Sequence, residues 1–297
     1  MLMDNLIGQE AIKTQIRMQA EFCKKYNSLL PHTLLIASAG YGKSAYSDAI
    51  AELLGRPAIH IYCPTIQTEA DLWAVLKPNG KWFEPGTCVL VDELHSLSLK
   101  VAEQLYTMME TFTLAQNGVV TNVPKFTLIG ATTEPHMMSK PLRDRFINQF
   151  VFEPYTDADI RCFIENMGAV FVMPSAENRI ARICNHTPRL VKAFMRKLHM
   201  YAVLNNIDMV TSDKLTEYLT ASGFTPDGLT PLEDKYMRIL ADQKKASLAT
   251  MANLLGMKQN MVATIIEPVL ITRGLLEMGV GGRVITEQGK MLYNGRI

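Results

Sequence analysis

The sequence predicts an α/β fold for the first half of the chain, with a parallel five-stranded sheet and helices on both faces. Five short apolar runs rich in β-branched residues alternate there with segments of helical periodicity. Runs that are apolar on both faces suit strands covered by helices on both sides, as in a parallel sheet. The runs are residues 32–37, 58–63, 87–91, 126–131 and 148–152.

Two further domains are predicted after the sheet. The periodicity from residue 157 to 222 is helical, which indicates a small helical domain. The Pro- and Gly-rich segment GFTPDGLTP then indicates a linker. The last segment matches three helices and a hairpin turning at Gly281-Gly282, the order of a winged helix-turn-helix. We therefore expect domains at residues 1–154, 155–222 and 223–297.

The composition is that of a soluble globular protein. The chain has 297 residues, of which 48% are hydrophobic and 20% charged. No apolar run approaches the roughly 20 residues that span a bilayer, so we expect a cytoplasmic protein with no membrane partner. The five widely spaced cysteines form no CxxC pair and are expected to be buried free thiols. With a net charge of only +1, a nucleic acid would have to be held by a local patch.

The stretch ASAGYGKS, between an apolar run and a helical segment, matches a phosphate-binding loop. Gly40 and Gly42 allow backbone N–H groups to approach a phosphate closely. Lys43 can reach the β- and γ-phosphates, and the Ser44 hydroxyl can ligate Mg²⁺. Ala37 stands where such loops usually have their first glycine, and alanine is acceptable there if its φ is negative. The alternative is a glycine turn with an incidental lysine.

Two carboxylates follow the third predicted strand. Asp92 is placed to hold Mg²⁺ through water, and Glu93 to orient or deprotonate an attacking water. The alternative is an acidic helix N-cap after a core strand. The next strand, FTLIGATT, ends in Thr132 and Thr133, and of these we choose Thr133 to contact the γ-phosphate or the lytic water.

The segment KPLRDRF carries two arginines, neither of which has an obvious partner in its own chain. An arginine supplied by a neighbouring subunit would stabilise the charge on a transferred phosphoryl group. A solvated basic loop is the alternative.

With these motifs in place, the chain resembles the RuvB family, the AAA+ motors of Holliday junction branch migration. The matches occur in order over nearly the whole chain. They are IGQ, GYGKS, VDELH, LYTMME, FTLIGATT, PLRDRF, TPR, EPVLITRGLL and GGRVIT. The combination of FTLIGATT with EPVLITRG is more particular to RuvB than the ATPase signatures, which clamp loaders and helicase loaders share.

The resemblance implies a large AAA+ domain, a helical lid and a winged-helix DNA-binding domain, assembled as a homo-hexameric ring around duplex DNA. The cofactors would be ATP and Mg²⁺. Arg145 would act in trans as an arginine finger, Arg189 would sense the γ-phosphate from the lid, and Thr133 would be the first sensor. The expected nucleotide-binding residues are Leu6, Ile7, Gly40, Tyr41, Gly42, Lys43, Ser44, Ala45, Tyr155 and Arg189, and the expected catalytic residues are Lys43, Glu93, Thr133, Arg145 and Arg189.

The chain departs from the family at two places. The first is ASAG, where the family has a glycine followed by two prolines. The second is the segment Thr111 to Lys125, which is shorter than the hairpin with which RuvB proteins dock the junction-binding protein RuvA. We therefore hypothesise that this protein binds a divergent RuvA-like partner or works without one.

Arg283 at the wing tip, Arg273 and Lys258 are the candidate DNA contacts. Phosphate contacts carry no sequence information, which suits a motor that moves along any DNA. Winged helices also serve as protein-contact modules. The predicted function is ATP-driven translocation of duplex DNA that drives migration of four-way junctions. The alternatives are a loader-like ATPase switch and a winged-helix regulator controlled by nucleotide.

Overall fold

The computed structural model describes residues 2–116, 118–168, 170–279 and 281–294. The chain forms two compact units, Met1–Tyr155 and Thr156–Ile297. The predicted domain ranges 1–154, 155–222 and 223–297 stay predictions.

A parallel sheet of five strands forms the centre of the first unit, as the sequence predicted. Its strands are β1 (Thr33–Ile36), β2 (Ala58–Tyr62), β3 (Cys88–Asp92), β6 (Thr127–Thr132) and β7 (Asn148–Val151). Their order across the sheet is β2-β3-β6-β1-β7. Between β3 and β6, an antiparallel hairpin consists of β4 (Thr113–Gln116) and β5 (Val119–Asn122).

Six helices accompany the described strands of this unit. They are α1 (Leu2–Asn5), α2 (Glu10–Tyr26), α3 (Lys43–Leu54), α4 (Glu69–Leu76), α5 (Leu99–Thr111) and α6 (Lys140–Asp144). Short 3₁₀ turns occupy Cys63–Thr65, Pro78–Gly80, Leu94–Ser96 and Pro135–Met137.

Both faces of the sheet are covered. Successive side chains of a strand point to opposite faces, and Leu34 and Leu35 of β1 accordingly belong to two different buried clusters. Helix α3 contributes Ile50 to one cluster, and α5 contributes Leu105 to the other. The apolar composition of the strands is therefore explained by burial on both sides.

The second unit begins with four helices: α7 (Asp157–Met167), α8 (Pro174–Ile183), α9 (Pro188–Leu204) and α10 (Ser212–Ala221). The helical prediction for this part missed one feature, the parallel pair of two-residue strands β8 (Phe171–Val172) and β9 (Met209–Val210). Strands of two residues are too short to produce a periodic signal.

The C-terminal part has its own buried cluster, which includes Tyr236, Leu240 and Leu270. Its helices are α11 (Pro231–Gln243), α12 (Leu248–Leu255), α13 (Gln259–Met261) and α14 (Glu267–Thr272), and a π-helical stretch, Val262–Ile266, joins the last two. The antiparallel hairpin of β10 (Leu276–Gly279) and β11 (Gly282–Ile285) follows. Gly281 and Gly282 lie at its turn, as predicted, with positive φ angles, while Val280 lies outside the described residues. The end of the predicted hairpin segment is instead a helix, α15 (Glu287–Asn294).

Cys162 is exposed, contrary to expectation, and the other four cysteines are buried and free. Among the described residues, no single helix is long and apolar enough to cross a bilayer.

Candidate active site

The phosphate-binding loop connects β1 to α3 at the carboxyl end of the sheet. Gly40 and Gly42 have φ angles of +85° and +88°, in the left-handed region that glycine adopts at little cost. Helix α3 begins at Lys43 directly after Gly42. The N–H groups of its first turn therefore face the loop, as an anion site requires.

Ala37 fits the first position of this loop. Its backbone is not in the left-handed region, unlike that of Gly40 and Gly42. Its N–H donates to the carbonyl of Thr132 at 3.3 Å, which ties the loop to the end of β6. Ala37 therefore meets the condition of a negative φ under which alanine is acceptable at this position.

The Lys43 ammonium is held inside the loop. The residue is 6% exposed, and its Nζ donates to the carbonyls of Ala37 at 2.7 Å and Ser38 at 3.2 Å. A buried ammonium requires such acceptors. The two carbonyls hold the Lys43 ammonium at the position where the phosphate oxygens of a bound nucleotide would replace them as acceptors.

Ser44 and Asp92 meet where a metal ion is expected. The Ser44 hydroxyl donates to Asp92 Oδ2 at 2.8 Å, and Asp92 Oδ1 accepts from the Glu93 N–H at 3.0 Å. A cavity of about 160 Å³ lies beside the pair. A hydroxyl and a carboxylate are hard oxygen ligands, so this donor set fits Mg²⁺.

The Glu93 carboxylate lies between the ends of β3 and β6. Its backbone is left-handed, with φ +53°, a strained conformation that tends to occur at functional sites. Its Oε2 accepts from Thr133 Oγ1 at 3.4 Å. The predicted base and the predicted sensor are therefore adjacent.

His95 is a site residue that sequence reasoning missed. Its Nδ1 lies 3.0 Å from Thr132 Oγ1 and 3.4 Å from Glu93 Oε2. The side chain is 15% exposed. The only sequence signal was its position two residues after Glu93, which did not reveal the contact with β6.

The buried Cys63 thiol lies near these carboxylates and is not reactive. Burial raises the pKa of Cys63 to about 12, and the negative charges of Asp92 and Glu93 act in the same direction. At neutral pH the group is a thiol that cannot serve as a nucleophile.

The predicted adenine side of the site is built from three segments. Leu6 and Ile7 are half-buried at the start of the chain. The Gln9 side chain donates to the Glu153 carbonyl at 2.7 Å and accepts from its N–H at 3.0 Å, which connects this segment to the end of the sheet.

Tyr155 closes the same side. Its hydroxyl donates to the Tyr41 carbonyl at 2.9 Å, and the two rings lie 5.5 Å apart. Ala45, in the first turn of α3, is exposed. These placements agree with a nucleotide pocket, although the role of each residue stays a prediction.

Arg189 belongs to the second unit, where it is exposed in the first turn of α9. Just before it, His186 Nε2 lies 2.7 Å from Asp157 Oδ1. This contact joins the approach to α9 with the start of α7, and it gives His186 a packing role in the second unit.

Arg145 differs from the sequence expectation. The sequence indicated no obvious partner in its own chain, but its Nη2 donates to Glu110 Oε2 at 2.5 Å and its Nη1 to the Pro141 carbonyl at 3.2 Å. Arg145 and Glu110 are 35 residues apart, so only the packing of α5 against α6 brings them together.

The prediction that Arg283 lies at the wing tip is wrong. Arg283 is inside β11, and its guanidinium donates to both carboxylate oxygens of Glu267, at 2.8 and 3.1 Å. The Glu267 side chain is 1% exposed and also accepts from the Tyr236 hydroxyl at 2.9 Å. Arg283 therefore pairs with a buried carboxylate in the core of this domain, and its contact with DNA stays a prediction.

Arg273 also has partners within its own chain. Its guanidinium donates to the carbonyls of Asp227 at 2.7 Å and Gly228 at 3.3 Å, in the predicted linker. Lys258 differs from both arginines, since it is exposed immediately before α13. Of the three predicted contacts, Lys258 is exposed, whereas Arg273 and Arg283 are half-buried.

Comparison with known families identifies the family of the chain. Residues 1–151 match the Holliday junction DNA helicase RuvB P-loop domain, and residues 226–294 match the RuvB C-terminal winged helix domain. The chain belongs to the RuvB family. Its first unit is thus an AAA+ P-loop domain, which binds nucleotide.

RuvB proteins from other organisms resemble the chain over nearly its full length. The Holliday junction branch migration complex subunit RuvB of Campylobacter jejuni strain RM1221 is 32% identical, covering 95% of this chain and 87% of that protein. The RuvB subunit of Campylobacter concisus is 30% identical, covering 99% and 90%.

Solved structures agree with this assignment. The Thermotoga maritima RuvB Holliday junction branch migration motor superposes with a TM-score of 0.79 at 26% identity, covering 98% of this chain and 96% of that one. NtrX from Brucella abortus in complex with ATP shares only the fold, with a TM-score of 0.55 at 15% identity.

Proposed function

We propose that this RuvB-family chain is an ATP-driven motor that translocates duplex DNA and drives Holliday junction branch migration. The proposal depends above all on one observation: the Lys43 loop, the Ser44–Asp92 pair and the Glu93–Thr133 pair converge at one edge of the sheet. The RuvB relatives are named as branch migration subunits and as a branch migration motor.

The chain's own groups account for the chemistry of hydrolysis. Lys43 and the N–H groups at the start of α3 bind the phosphates of ATP. Glu93 orients the attacking water and accepts its proton, while Thr133 restrains the Glu93 carboxylate. Ser44 and Asp92 hold Mg²⁺, which when bound offsets negative charge on the phosphates.

Two arginines complete the proposed mechanism. Arg145 acts in trans at a neighbouring subunit's nucleotide, and Arg189 senses the γ-phosphate from the helical lid. These roles require a ring, which we propose to be a homo-hexamer in the cytoplasm. Charge stabilisation by an arginine supplied in trans increases phosphoryl-transfer rates by about 10³–10⁵ in GTPases.

DNA contact is assigned to the winged helix, with Lys258 as the exposed cation that fits this role. A RuvA-like protein is the expected partner. Val119 and Val120 of the β4–β5 hairpin are 63% and 67% exposed, which supports a docking role for this hairpin. Binding of a typical RuvA tests the hypothesis that the partner is divergent or dispensable, since normal affinity would contradict it.

The function is tested by measuring ATP hydrolysis with and without a synthetic four-way junction, and product duplexes in the same reaction. We expect junction-stimulated hydrolysis with duplex products. Glu93→Gln should lower kcat by about 10²–10⁴, because the general base is lost, while ATP remains bound.

Glu84→Gln is the matched control, because Glu84 is exposed outside the site and should leave hydrolysis unchanged. Hydrolysis without product duplexes, with or without added RuvA, would favour a loader-like switch. Junction binding that is unaffected by Glu93→Gln and unaccompanied by hydrolysis would favour a nucleotide-controlled regulator.

A further inference from the structure

The Arg145 side chain is held in one orientation by three groups of its own subunit. Glu110 and the Pro141 carbonyl accept its hydrogen bonds, and the guanidinium carbon lies 5.2 Å from the centroid of the Tyr106 ring. Such a cation–π contact adds to the attraction of the ion pair. The arginine is therefore ordered before any neighbouring subunit is present.

Helix α5 supplies two of the three contacts. Tyr106 and Glu110 are four residues apart, so they lie one above the other on the same helical face. The helix is anchored by Leu105 and Met108, both 0% exposed. The acceptor for Arg145 is consequently attached to a rigid part of the core.

The arginine is anchored from its own side as well. Leu142 and Phe146, on either side of it in sequence, are 1% and 2% exposed. Only the far part of the side chain remains to be positioned, and the Arg145 and Glu110 side chains are 30% and 58% exposed. Their ion pair is therefore accessible to an approaching phosphate.

The chemistry of the guanidinium permits both contacts at once. It has five N–H donors in a planar arrangement, and Glu110 and Pro141 use only part of them. A flexible arginine would have to lose its rotamer freedom when it enters the neighbouring site. Partial ordering in advance reduces that loss.

We propose that Glu110 is a positioning residue that holds Arg145 ready to enter the nucleotide site of an adjacent subunit. This inference rests on the proposed action of Arg145 in trans. Glu110 does not touch the nucleotide in this role. It acts through the orientation of the arginine.

The expected effect is on turnover and not on substrate binding. Glu110→Ala should lower kcat about fivefold, or about 1 kcal/mol, with KM unchanged, because the arginine acts mainly in the transition state. Glu110→Gln should restore most of the rate, since its amide oxygen can accept the same hydrogen bond. A merely structural role would not produce this rescue.

Mixed rings of two variants separate the roles of the subunit that hydrolyses ATP and the subunit that supplies Arg145. Arg145→Ala serves as the acceptor, with an intact nucleotide site and no arginine finger. Glu93→Gln serves as the donor, with an intact finger and no hydrolysis of its own. Hydrolysis by the mixture then reports the donor's Arg145 acting on the acceptor's site.

Three further donors carry Glu93→Gln with Glu110→Ala, Glu110→Gln or Glu103→Ala. Glu103 is an exposed carboxylate on the same helix, so its removal is the matched control. Binding of a fluorescent ATP analogue to each donor verifies that its fold is intact. The Glu110→Ala donor should support about fivefold less hydrolysis at saturating ATP, while the other two donors support the full rate or most of it.

Equal rates with all four donors would overturn the role of Glu110 and leave the finger in place. A faster rate with the Glu110→Ala donor would overturn it as well, because Glu110 would then restrain the arginine from acting. No hydrolysis in any mixture would overturn the trans action itself, and with it the inference.

Discussion

At the scale of single residues, the positions whose chemistry is local behaved as the sequence indicated. Lys43 and Ser44 begin α3 directly after the phosphate-binding loop, and Asp92 ends a buried strand. The orientation of the Arg283 side chain, in contrast, does not follow from the local sequence. It depends on the register of the wing, because a shift of one residue moves every side chain of a strand to its other face.

Removal of the Arg283 side chain tests the contribution of its ion pair with Glu267 to stability. Arg283→Ala should destabilise the C-terminal domain by about 3–5 kcal/mol, because it leaves the buried Glu267 carboxylate without its cation. Urea unfolding followed by circular dichroism measures the loss. Burial and the hydrogen bond to Glu267 also raise the pKa of Tyr236, so the hydroxyl remains protonated and continues to donate at neutral pH.

Lys258→Ala is the control for this measurement. Lys258 is exposed, and its removal should change stability by no more than about 0.5 kcal/mol. If Arg283→Ala instead weakens DNA binding and leaves the unfolding curve unchanged, Arg283 contacts DNA and does not stabilise the domain.

At the scale of elements, β6 shows how packing positions the site. The strand ends at Thr132, Thr133 follows it directly, and Gly130 lies in its middle. A Cβ atom on Gly130 would lie 2.9 Å from Leu94 Cδ2 and 3.1 Å from Phe146 Cζ. The absence of a side chain there allows the strand to pack closely beneath the turn that follows Glu93.

Gly130→Ala should therefore destabilise the first unit by about 1–3 kcal/mol, since the added methyl overpacks the core. Chemical unfolding of the full chain measures the change. Gly279→Ala is the matched control, because its Cβ would meet only ordinary contacts at 3.7 Å. A stability equal to that of wild type would show that Leu94 and Phe146 can move aside at no cost.

At the scale of the whole molecule, the first unit is stabilised by contacts between elements that are distant in sequence. His32, just before β1, connects three elements of the first unit. Its Nδ1 accepts from the Leu128 N–H at 2.9 Å, and its Nε2 lies 3.1 Å from the Met109 carbonyl. These partners require a neutral imidazole with the proton on Nε2.

Burial lowers the pKa of His32 from its ordinary value of 6.5. The unfolded chain therefore takes up a proton near pH 6.5 while the folded chain still resists it. The unfolded state binds more protons in this window, so the free energy of unfolding falls as the pH falls below about 6.5. Above that pH the contribution is fully present.

Thermal melts between pH 5.5 and 7.5 test this sign. His32→Gln should flatten the dependence of Tm on pH relative to wild type, because its amide can replace the hydrogen bonds without titrating. His136→Gln, at an exposed histidine, should keep the wild-type dependence. If wild type and His32→Gln have parallel curves, His32 is not the group responsible.

The sequence by itself determined the parallel sheet, the phosphate-binding loop, the two carboxylates and the family. Each of these follows from a pattern of residues that are neighbours in sequence, such as the periodic spacing of apolar residues or the glycine-rich run before Lys43. The tertiary structure alone decided which distant side chains meet: Arg145 with Glu110, Arg283 with Glu267, and His95 with Thr132. The physical reason is that such contacts depend on how elements pack and on strand register, and these are set by the whole core and not by any one segment.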